Sequence, residues 1–396
     1  MKTSSSNKFL LAILFIALSF TPLIAQDAFN IVYGPYLQAV SANEATIVWV
    51  TNKPASSWVE IAPDDNFHFY AQDRPKYYDT LFGKKKVGTL HKVTINGLNP
   101  ATNYRYRILS KEVKVVEPYY VEYGRVASTD VYTKKPLKFK TLDDKADKVS
   151  FGVVNDIHGD NDLLKSLLSG LKSNDNNFYI YNGDMVSHLD SEKQLFDGFI
   201  TTSINEFASE KPFYMVRGNH ETRGDFSTEF INYFPSTTQN PYYAFKQGPC
   251  FFLVLDGGED KPDTSIEYYD LADFDNYRSN EVAWIKEVVE SDDFKNAKYR
   301  IVLIHVPPVK STWHGPLDVK EKFLPVLNNA NIDVMFCAHL HSYQYVEKGN
   351  ENLNFPMIVN SNTEALKVNA DNSSLKVDVI DKTGKILKSF EYKASK

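Results

Sequence analysis

The chain has 396 residues, a length that fits about two domains better than a single core. Hydrophobic residues make up 43% and charged residues 24%, so most of the chain is expected to fold. The net charge is −6 and no long basic run occurs, which argues against a nucleic-acid partner.

The N-terminus has the pattern of an export signal. Lys2 and Lys8 precede an apolar run at residues 9–20, which is too short to span a bilayer comfortably and has the size of a signal-peptide core. We expect cleavage after Ala25, so that residues 1–25 form a signal peptide and the mature protein is periplasmic or extracellular without stable membrane insertion. A single membrane anchor is the alternative.

The chain contains only two cysteines, Cys250 and Cys337, which excludes a scaffold held together by disulfides. Both lie in apolar, strand-like segments and are expected to be buried thiols. A single disulfide between them is the alternative, because export to an oxidising compartment would permit it.

Residues 28–142 are expected to form an all-β domain. Runs rich in β-branched and aromatic residues at 46–50, 91–95 and 104–108 are separated by turn residues, which indicates a β-sandwich with Trp49 in its core. The segment 98–104 resembles the tyrosine corner of fibronectin type III domains, in which the tyrosine hydroxyl bonds back to the backbone. No metal-ligand or nucleophile pattern occurs here, so we expect a structural or docking role.

A polar, charged stretch at residues 140–148 is the expected linker, and an α/β domain follows at residues 148–396. Strands are predicted at 149–154, 178–181, 213–216, 250–255, 300–304 and 332–337. Helices are predicted at 163–171, 191–207 and 319–327, together with one that Ser279 caps and that carries Val282, Ile285, Val288 and Val289. A β-hairpin of residues 375–380 and 385–392 closes the domain.

Five polar clusters each follow a predicted strand directly. Loops at strand ends converge on ligands in α/β domains, and Asp, Asn and His supply the oxygen and imidazole ligands that Zn, Mn or Fe prefer. Each cluster alone is weak evidence for a metal site, but all five occur one after another along the chain, each at the end of a predicted strand. The seven candidate metal ligands in them are Asp156, His158, Asp184, Asn219, His305, His339 and His341.

These clusters resemble the pattern of the calcineurin-like metallophosphoesterase superfamily, in its purple-acid-phosphatase-like branch. The family pattern is Asp-x-His, Gly-Asp, Gly-Asn-His-Asp/Glu, His and Gly-His-x-His, and the resemblance covers residues 149–345. It implies a double β-sheet core flanked by helices, with two divalent or mixed-valence metal ions (Fe, Mn or Zn). It also implies a first metal held by Asp156, His158 and His341, a second held by Asn219, His305 and His339, and Asp184 as the bridge.

The resemblance implies hydrolysis of a small phosphate monoester by a metal-activated hydroxide, because two adjacent dications can share that hydroxide and clamp the phosphoryl oxygens. His220 is then the residue that helps to protonate the leaving group or stabilise the transition state, with a purely structural role as the alternative. The other functions left open are a phosphodiesterase with the same metals and a silent extracellular binding protein.

Three further residues are weaker candidates for binding or catalysis. His188 stands where protein phosphatases place a phosphate-binding Arg, and His314 lies in a loop where purple acid phosphatases often carry a histidine behind the ligands. Arg217 could offer a fork of donors to phosphate. An ordinary loop or surface role is the alternative for each of the three.

Two positions depart from the family pattern. Purple acid phosphatases use a Tyr ligand where this chain has Ser187, and His158 supplies an imidazole instead, so no tyrosine–iron colour is expected. Ala338 replaces the usual Gly, which is tolerable if its backbone angles are ordinary.

Overall fold

The structure is a computed structural model that describes residues 28–172 and 176–394. The predicted signal peptide at residues 1–25 lies outside the described residues. The strands in chain order are β1 Ile31–Gln38, β2 Glu44–Pro63, β3 Lys76–Tyr78, β4 Thr80–Leu81, β5 Lys84–Lys85, β6 Gly88–Asn96, β7 Asn103–Glu117, β8 Tyr120–Ser128, β9 Leu137–Lys140, β10 Lys148–Val154, β11 Phe178–Asn182, β12 Phe213–Val216, β13 Tyr243–Gln247, β14 Cys250–Val254, β15 Tyr299–Leu303, β16 Val334–Cys337, β17 Gln344–Val346, β18 Met357–Val359, β19 Glu364–Asp371, β20 Ser374–Asp381 and β21 Ile386–Lys393. The α-helices are α1 Asn161–Leu171, α2 Glu192–Leu195, α3 Thr201–Ser203, α4 Phe230–Tyr233, α5 Phe274–Glu290, α6 Asp292–Asn296 and α7 His314–Leu327.

The first sheet takes its strands from β1–β3 and β6–β9 and has the predicted β-sandwich form. Strand β2 joins its two layers. The pairing register shifts between Val50 and Ala55, so the first half of β2 pairs with β1 and β6 while the second half pairs with β3 and β7. A strand that changes partners at such an irregularity turns a corner between layers.

The predicted core tryptophan and tyrosine corner are both present in this sheet. Trp49 is fully buried, and its Nε1 donates to Ser110 Oγ at 2.9 Å. The hydroxyl of Tyr104 accepts a hydrogen bond from the backbone N–H of Asn99 at 2.9 Å, which fixes the corner as expected.

The rest of the chain builds two six-stranded sheets with a shared apolar core between them. Their strand orders are β12-β11-β10-β19-β20-β21 and β13-β14-β15-β16-β18-β17. Phe151 and Phe178 of one sheet contact Phe252 of the other with ring centroids 5.1 and 5.5 Å apart. Strands β10, β11 and β12 run parallel in one sheet and β14, β15 and β16 in the other, so within each sheet their carboxyl ends meet at one edge.

Helices cover the outer faces of both sheets, which completes the predicted α/β architecture. Leu164, Leu167, Leu168 and Leu171 of α1 are buried together with residues of the first of these sheets, as their spacing predicts. The segment 192–208 is helical as predicted, although a π-helical stretch follows α2 at Phe196–Ile200 and another follows α3 at Ile204–Ala208.

Two helix starts differ from the prediction. Ser279 does not cap α5, which begins at Phe274. The Ser279 hydroxyl lies inside the helix and donates to the carbonyl of Asp275 at 2.8 Å. Helix α7 begins at His314, before the predicted apolar repeat, because its first turn packs on the chain at Glu259: a Cβ on Gly315 would lie 2.2 Å from the Glu259 carbonyl oxygen.

The first sheet and the α/β part share one stretch of core. Tyr36 is buried against Phe196 and Phe213, and its hydroxyl donates to the Tyr233 carbonyl at 3.0 Å. Gln38 Nε2 donates to the carbonyl of Phe213 on the edge strand β12 at 3.1 Å.

Two further observations concern the cysteines and the helices of the described residues. Cys250 and Cys337 are both buried and free, as the thiol interpretation predicts. Across residues 28–172 and 176–394, no helix combines the length and apolar character needed to cross a membrane.

Candidate metal centre

The ends of five parallel strands bring the seven predicted ligands into one place. Backbone hydrogen bonds tie the loops together, from Asp156 N to the Gly183 carbonyl at 2.9 Å and from His158 N to the Asp184 carbonyl at 3.0 Å. The loop after β16 is tied in the same way, because Ala338 N donates to the His305 carbonyl at 2.9 Å.

The first group of ligand atoms belongs to Asp156, His158 and His341, which lie within 4.8 Å of one another. The Nε2 atoms of the two histidines are 3.2 Å apart, and His341 Nε2 lies 3.3 Å from Asp156 Oδ1. Oδ1 of the buried Asp156 accepts no hydrogen bond from the residues that the structure describes. Three potential ligand atoms therefore converge on one place, an arrangement that a cation would satisfy.

The second group consists of Asp184, His305 and His339. His305 Nδ1 lies 2.7 Å from the carbonyl oxygen of Asn182, so Nδ1 carries a proton and donates it there. In a neutral His305 the Nε2 lone pair therefore faces Asp184 Oδ2 at 3.0 Å. A metal ion between the two acceptors would explain this short distance, and so would a second proton on the ring. A histidine that binds a metal through Nε2 usually has its Nδ1–H fixed by a hydrogen bond of this kind.

Asn219 adds an oxygen to the second group. Its Oδ1 lies 3.0 Å from His339 Nδ1 and faces only acceptors. If hydrogen bonding alone decided the orientation, the amide oxygen and nitrogen would exchange places. The NH2 group would then donate to His339, to His305 Nε2 at 3.3 Å and to Asp184 Oδ2 at 3.3 Å. The orientation with oxygen inward is the one that a cation would favour, so the donor set fits a metal.

The acidic groups control the charge of the histidines before a metal binds. Burial lowers the pKa of His305, but the neighbouring Asp184 and Asp156 outweigh burial and raise that pKa to about 10. Burial and the nearby His305 lower the pKa of His339 to about 4. Without a metal, the protonated His305 ring therefore lies next to the Asp184 and Asp156 carboxylates, and a metal ion would replace its proton.

Backbone strain is concentrated at the predicted ligands. Five of the seven have positive φ angles: 52° at Asp156, 49° at His158, 54° at Asp184, 73° at His339 and 53° at His341. Residues other than glycine rarely adopt this left-handed region, and those that do cluster at functional sites. Ala338 is absent from the positive-φ residues, so its methyl group is tolerated as expected.

Two motif glycines leave room for the ligands. A Cβ on Gly183 would lie 2.4 Å from His305 Nδ1, and one on Gly218 would lie 2.2 Å from Asp184 Oδ1. Both distances are far below any real contact, so a larger residue at either position would displace a ligand.

Glu221 shapes the loop that carries Asp184, a role that the sequence reasoning missed. Its buried carboxylate accepts the backbone N–H groups of Asp184 at 2.8 Å, Met185 at 2.7 Å, Val186 at 3.2 Å and Gly218 at 2.9 Å. The available signal was its place as the last residue of the Gly-Asn-His-Glu motif at residues 218–221.

His220 lies beside both groups of ligands. Its Nδ1 donates to the Ser187 carbonyl at 2.8 Å, which turns Nε2 towards Asp184 Oδ2 at 3.9 Å and Arg223 Nη1 at 3.3 Å. The ring also meets His158 edge-on, with centroids 4.7 Å apart. The structure thus brings the predicted catalytic histidine to the centre.

The three weaker candidates make other contacts. His188 Nε2 lies 3.5 Å from Glu267, and His314 Nε2 lies 2.8 Å from Asp275. Neither histidine belongs to a metal-ligating group of the described residues. The guanidinium of Arg217 is taken by buried Asp256 at 2.7 Å, which occupies the fork expected for phosphate. The geometry places none of the three in a group of candidate metal ligands among the described residues.

The fold and this centre define a class of protein. Residues 149–343 match the family described as calcineurin-like phosphoesterase, and residues 34–123 match the family described as purple acid phosphatase, N-terminal domain. The chain therefore combines a calcineurin-like metallophosphoesterase domain with a purple acid phosphatase N-terminal domain, as the motifs indicate for residues 149–345.

Particular relatives of the chain are plant purple acid phosphatases. Purple acid phosphatase 22 of Arabidopsis thaliana is 25% identical over 281 residues, which cover 65% of this chain and 54% of the relative. Purple acid phosphatase 18 of the same plant is 23% identical over 326 residues, covering 78% of this chain and 65% of the relative. The chain thus spans about half to two thirds of the length of these two relatives.

Proposed function

We propose that this chain is an exported metal-dependent phosphatase that hydrolyses small phosphate monoesters at a dinuclear centre. The observation that carries the proposal is the sharing of Asp184: its carboxylate belongs to one group with His158 and His220 and to another with His305 and His339, each within 4.8 Å. A carboxylate between two groups of donors is the arrangement that a pair of bridged metal ions needs.

The chain's own residues would divide the work. The first metal would be held by Asp156, His158 and His341, and the second by Asn219, His305 and His339, with Asp184 between them. Two divalent or mixed-valence ions such as Fe, Mn or Zn supply Lewis-acid chemistry that activates water and stabilises charge on the phosphoryl oxygens. Neutral Asn219 keeps the centre net positive, which favours an anionic ester.

His220 is the proposed proton donor to the leaving group. Its Nδ1 proton is committed to the Ser187 carbonyl at 2.8 Å, so Nε2 is the atom that can exchange a proton with substrate. A fixed ring beside the metals holds that proton where the leaving oxygen would develop its charge.

The proposal includes a domain division. Residues 1–25 would be removed as a signal peptide, residues 28–142 would form the fibronectin type III-like sandwich, and residues 148–396 would form the catalytic domain. The matches at 34–123 and 149–343 support the second and third of these units.

The decisive experiment compares a chromogenic phosphate monoester with the matching diester. Protein stripped of metal is reloaded with Mn, Zn or Fe, and wild type is compared with Asp184→Asn and with the control Asp162→Asn, which changes an exposed carboxylate on α1. Metal analysis and a thermal melt accompany each assay. We expect metal-dependent monoester hydrolysis that is lost in Asp184→Asn and retained in the control.

Other outcomes would change the assignment. A preference for the diester would make the protein a phosphodiesterase with the same centre. Folded wild-type protein that takes up no metal would overturn the proposal and favour a silent binding protein, and so would activity that Asp184→Asn leaves intact.

A further inference from the structure

Asp260 lies outside all five motif clusters and yet reaches the centre. It follows β14 in the segment 256–261 and is buried. Its Oδ2 lies 3.6 Å from Nε2 of His339. This carboxylate oxygen is therefore directed at a predicted metal ligand.

The two nitrogens of His339 face different surroundings. Nδ1 lies 3.0 Å from Asn219 Oδ1, inside the second group of ligands. A histidine that ligates through Nδ1 must carry its ring proton on Nε2. Asp260 Oδ2 is the acceptor on that side, so it can hold the proton and the ring orientation together.

The carboxylate is itself held in place. Its Oδ1 accepts from Lys261 Nζ at 3.2 Å and Arg223 Nη2 at 3.3 Å. The backbone carbonyl of Asp260 accepts from Gly315 N at 2.9 Å at the start of α7. Buried Arg278 donates to the neighbouring Glu259 carbonyl at 3.2 Å. These contacts come from three separate segments and fix Oδ2 towards His339.

We propose that Asp260 is a positioning residue for the second metal: its carboxylate accepts the Nε2 proton of His339 and keeps Nδ1 turned towards the metal. This inference rests on the proposed dinuclear centre. Carboxylates behind a ligating histidine fix its tautomer and raise its basicity, and their loss typically weakens metal binding about 10-fold to 100-fold.

The test is metal affinity and not activity. Metal-free wild type and Asp260→Asn are titrated with Zn against a competing chelator, which resolves the two sites. We expect Asp260→Asn to weaken one site by about 10-fold to 100-fold and to leave the other unchanged. Asp260→Glu, which keeps the acceptor, is expected to retain more affinity and also serves if the amide variant fails to fold.

Two controls separate positioning from general destabilisation. Asp333→Asn removes a partly buried carboxylate that pairs with Arg300 at 3.3 Å and precedes β16, whereas His339 follows the other end of that strand, so it should leave both affinities unchanged. In a His339→Gln background, Asp260→Asn should add no further loss, because its partner is gone.

The outcomes distinguish this inference from the proposed function. Wild type that binds no Zn would overturn the dinuclear centre itself. Wild type that binds two ions while Asp260→Asn binds them equally well would overturn the role of Asp260 alone. Equal weakening of both sites, or an additive loss in the double variant, would also contradict positioning through His339.

Discussion

The Nε2 atoms of His158 and His341 lie 3.2 Å apart, and Nδ1 of His158 lies 3.3 Å from Ser187 Oγ. Ser187 occupies the position of the tyrosine ligand in purple acid phosphatases. The contact shows that the two positions are neighbours in space, so an imidazole from one loop can take the place of a phenol from the other.

The visible absorption spectrum of iron-loaded protein should reflect the replacement of the tyrosine ligand by histidine. We expect wild type with ferric iron to show no tyrosine–iron charge-transfer band, and the double variant His158→Ala with Ser187→Tyr to gain one in the visible region. His158→Ala with Ser187→Phe is the control, because it has the bulk and lacks the phenol. Bound iron without a band in the tyrosine variant would show that residue 187 does not reach the metal.

Replacing Glu221 by Gln should weaken the whole protein. The new NH2 group would face backbone N–H donors that the carboxylate now accepts, and each unsatisfied buried group costs about 1–3 kcal/mol. We expect the free energy of unfolding in urea to fall by about 3 kcal/mol. Glu229→Gln, an exposed change, should stay within about 0.5 kcal/mol of wild type. Equal stability of the two variants would show that the carboxylate does not organise the loop.

The role of His220 can be separated from metal binding by the leaving group. We expect His220→Gln to keep two metals and to lose about 100-fold to 10,000-fold in kcat for an alkyl phosphate. The loss should be smaller for a nitrophenyl phosphate, whose leaving group needs no proton. A uniform loss across both substrates would contradict proton donation and indicate a role in binding the phosphoryl group.

Acid should destabilise the first sheet through His91. Burial, assisted by Lys86, lowers the pKa of His91 from 6.5 to about 3. At pH values between these two pKa values, His91 binds a proton in the unfolded chain and not in the folded chain. The free energy of unfolding therefore falls as pH falls, by up to about 1.4 kcal/mol per pH unit.

This pH dependence can be checked with a neutral replacement. His91→Gln can still donate to Thr51 Oγ1, which lies 2.8 Å from His91 Nε2, and should show a shallower decline of the free energy of unfolding below pH 6.5. His68→Gln, an exposed change in the loop between β2 and β3, should match the wild-type slope. If the free energy of unfolding declined equally with pH in all three proteins, His91 would not be the cause of the decline.

The convergence of the seven candidate ligands could be predicted from the sequence because each directly follows a buried strand. Parallel strands deliver their carboxyl ends to one edge of the sheet, so order along the chain translates into proximity. Trp49 and Tyr104 were predictable for a similar local reason, since their neighbours along the chain determine the strand and the corner.

The remaining features depend on contacts between distant segments. His188 and His314 stand near ligands in the sequence, but Glu267 and Asp275 set the direction of their side chains. Asp260 has no motif around it, and only the folded chain places it behind His339. The start of α7 was missed because its first turn is fixed by packing and not by apolar spacing.

The shared core around Tyr36 has a consequence for truncated forms of the protein. Strand β12 is an edge of its sheet, and Gln38 covers its outward carbonyl at Phe213. A shortened chain that begins after the first sheet would expose both that unpaired edge and the aromatic surface of Phe196 and Phe213. Exposed edges of this kind pair with strands from other molecules, so the β-sandwich protects the α/β part against self-association.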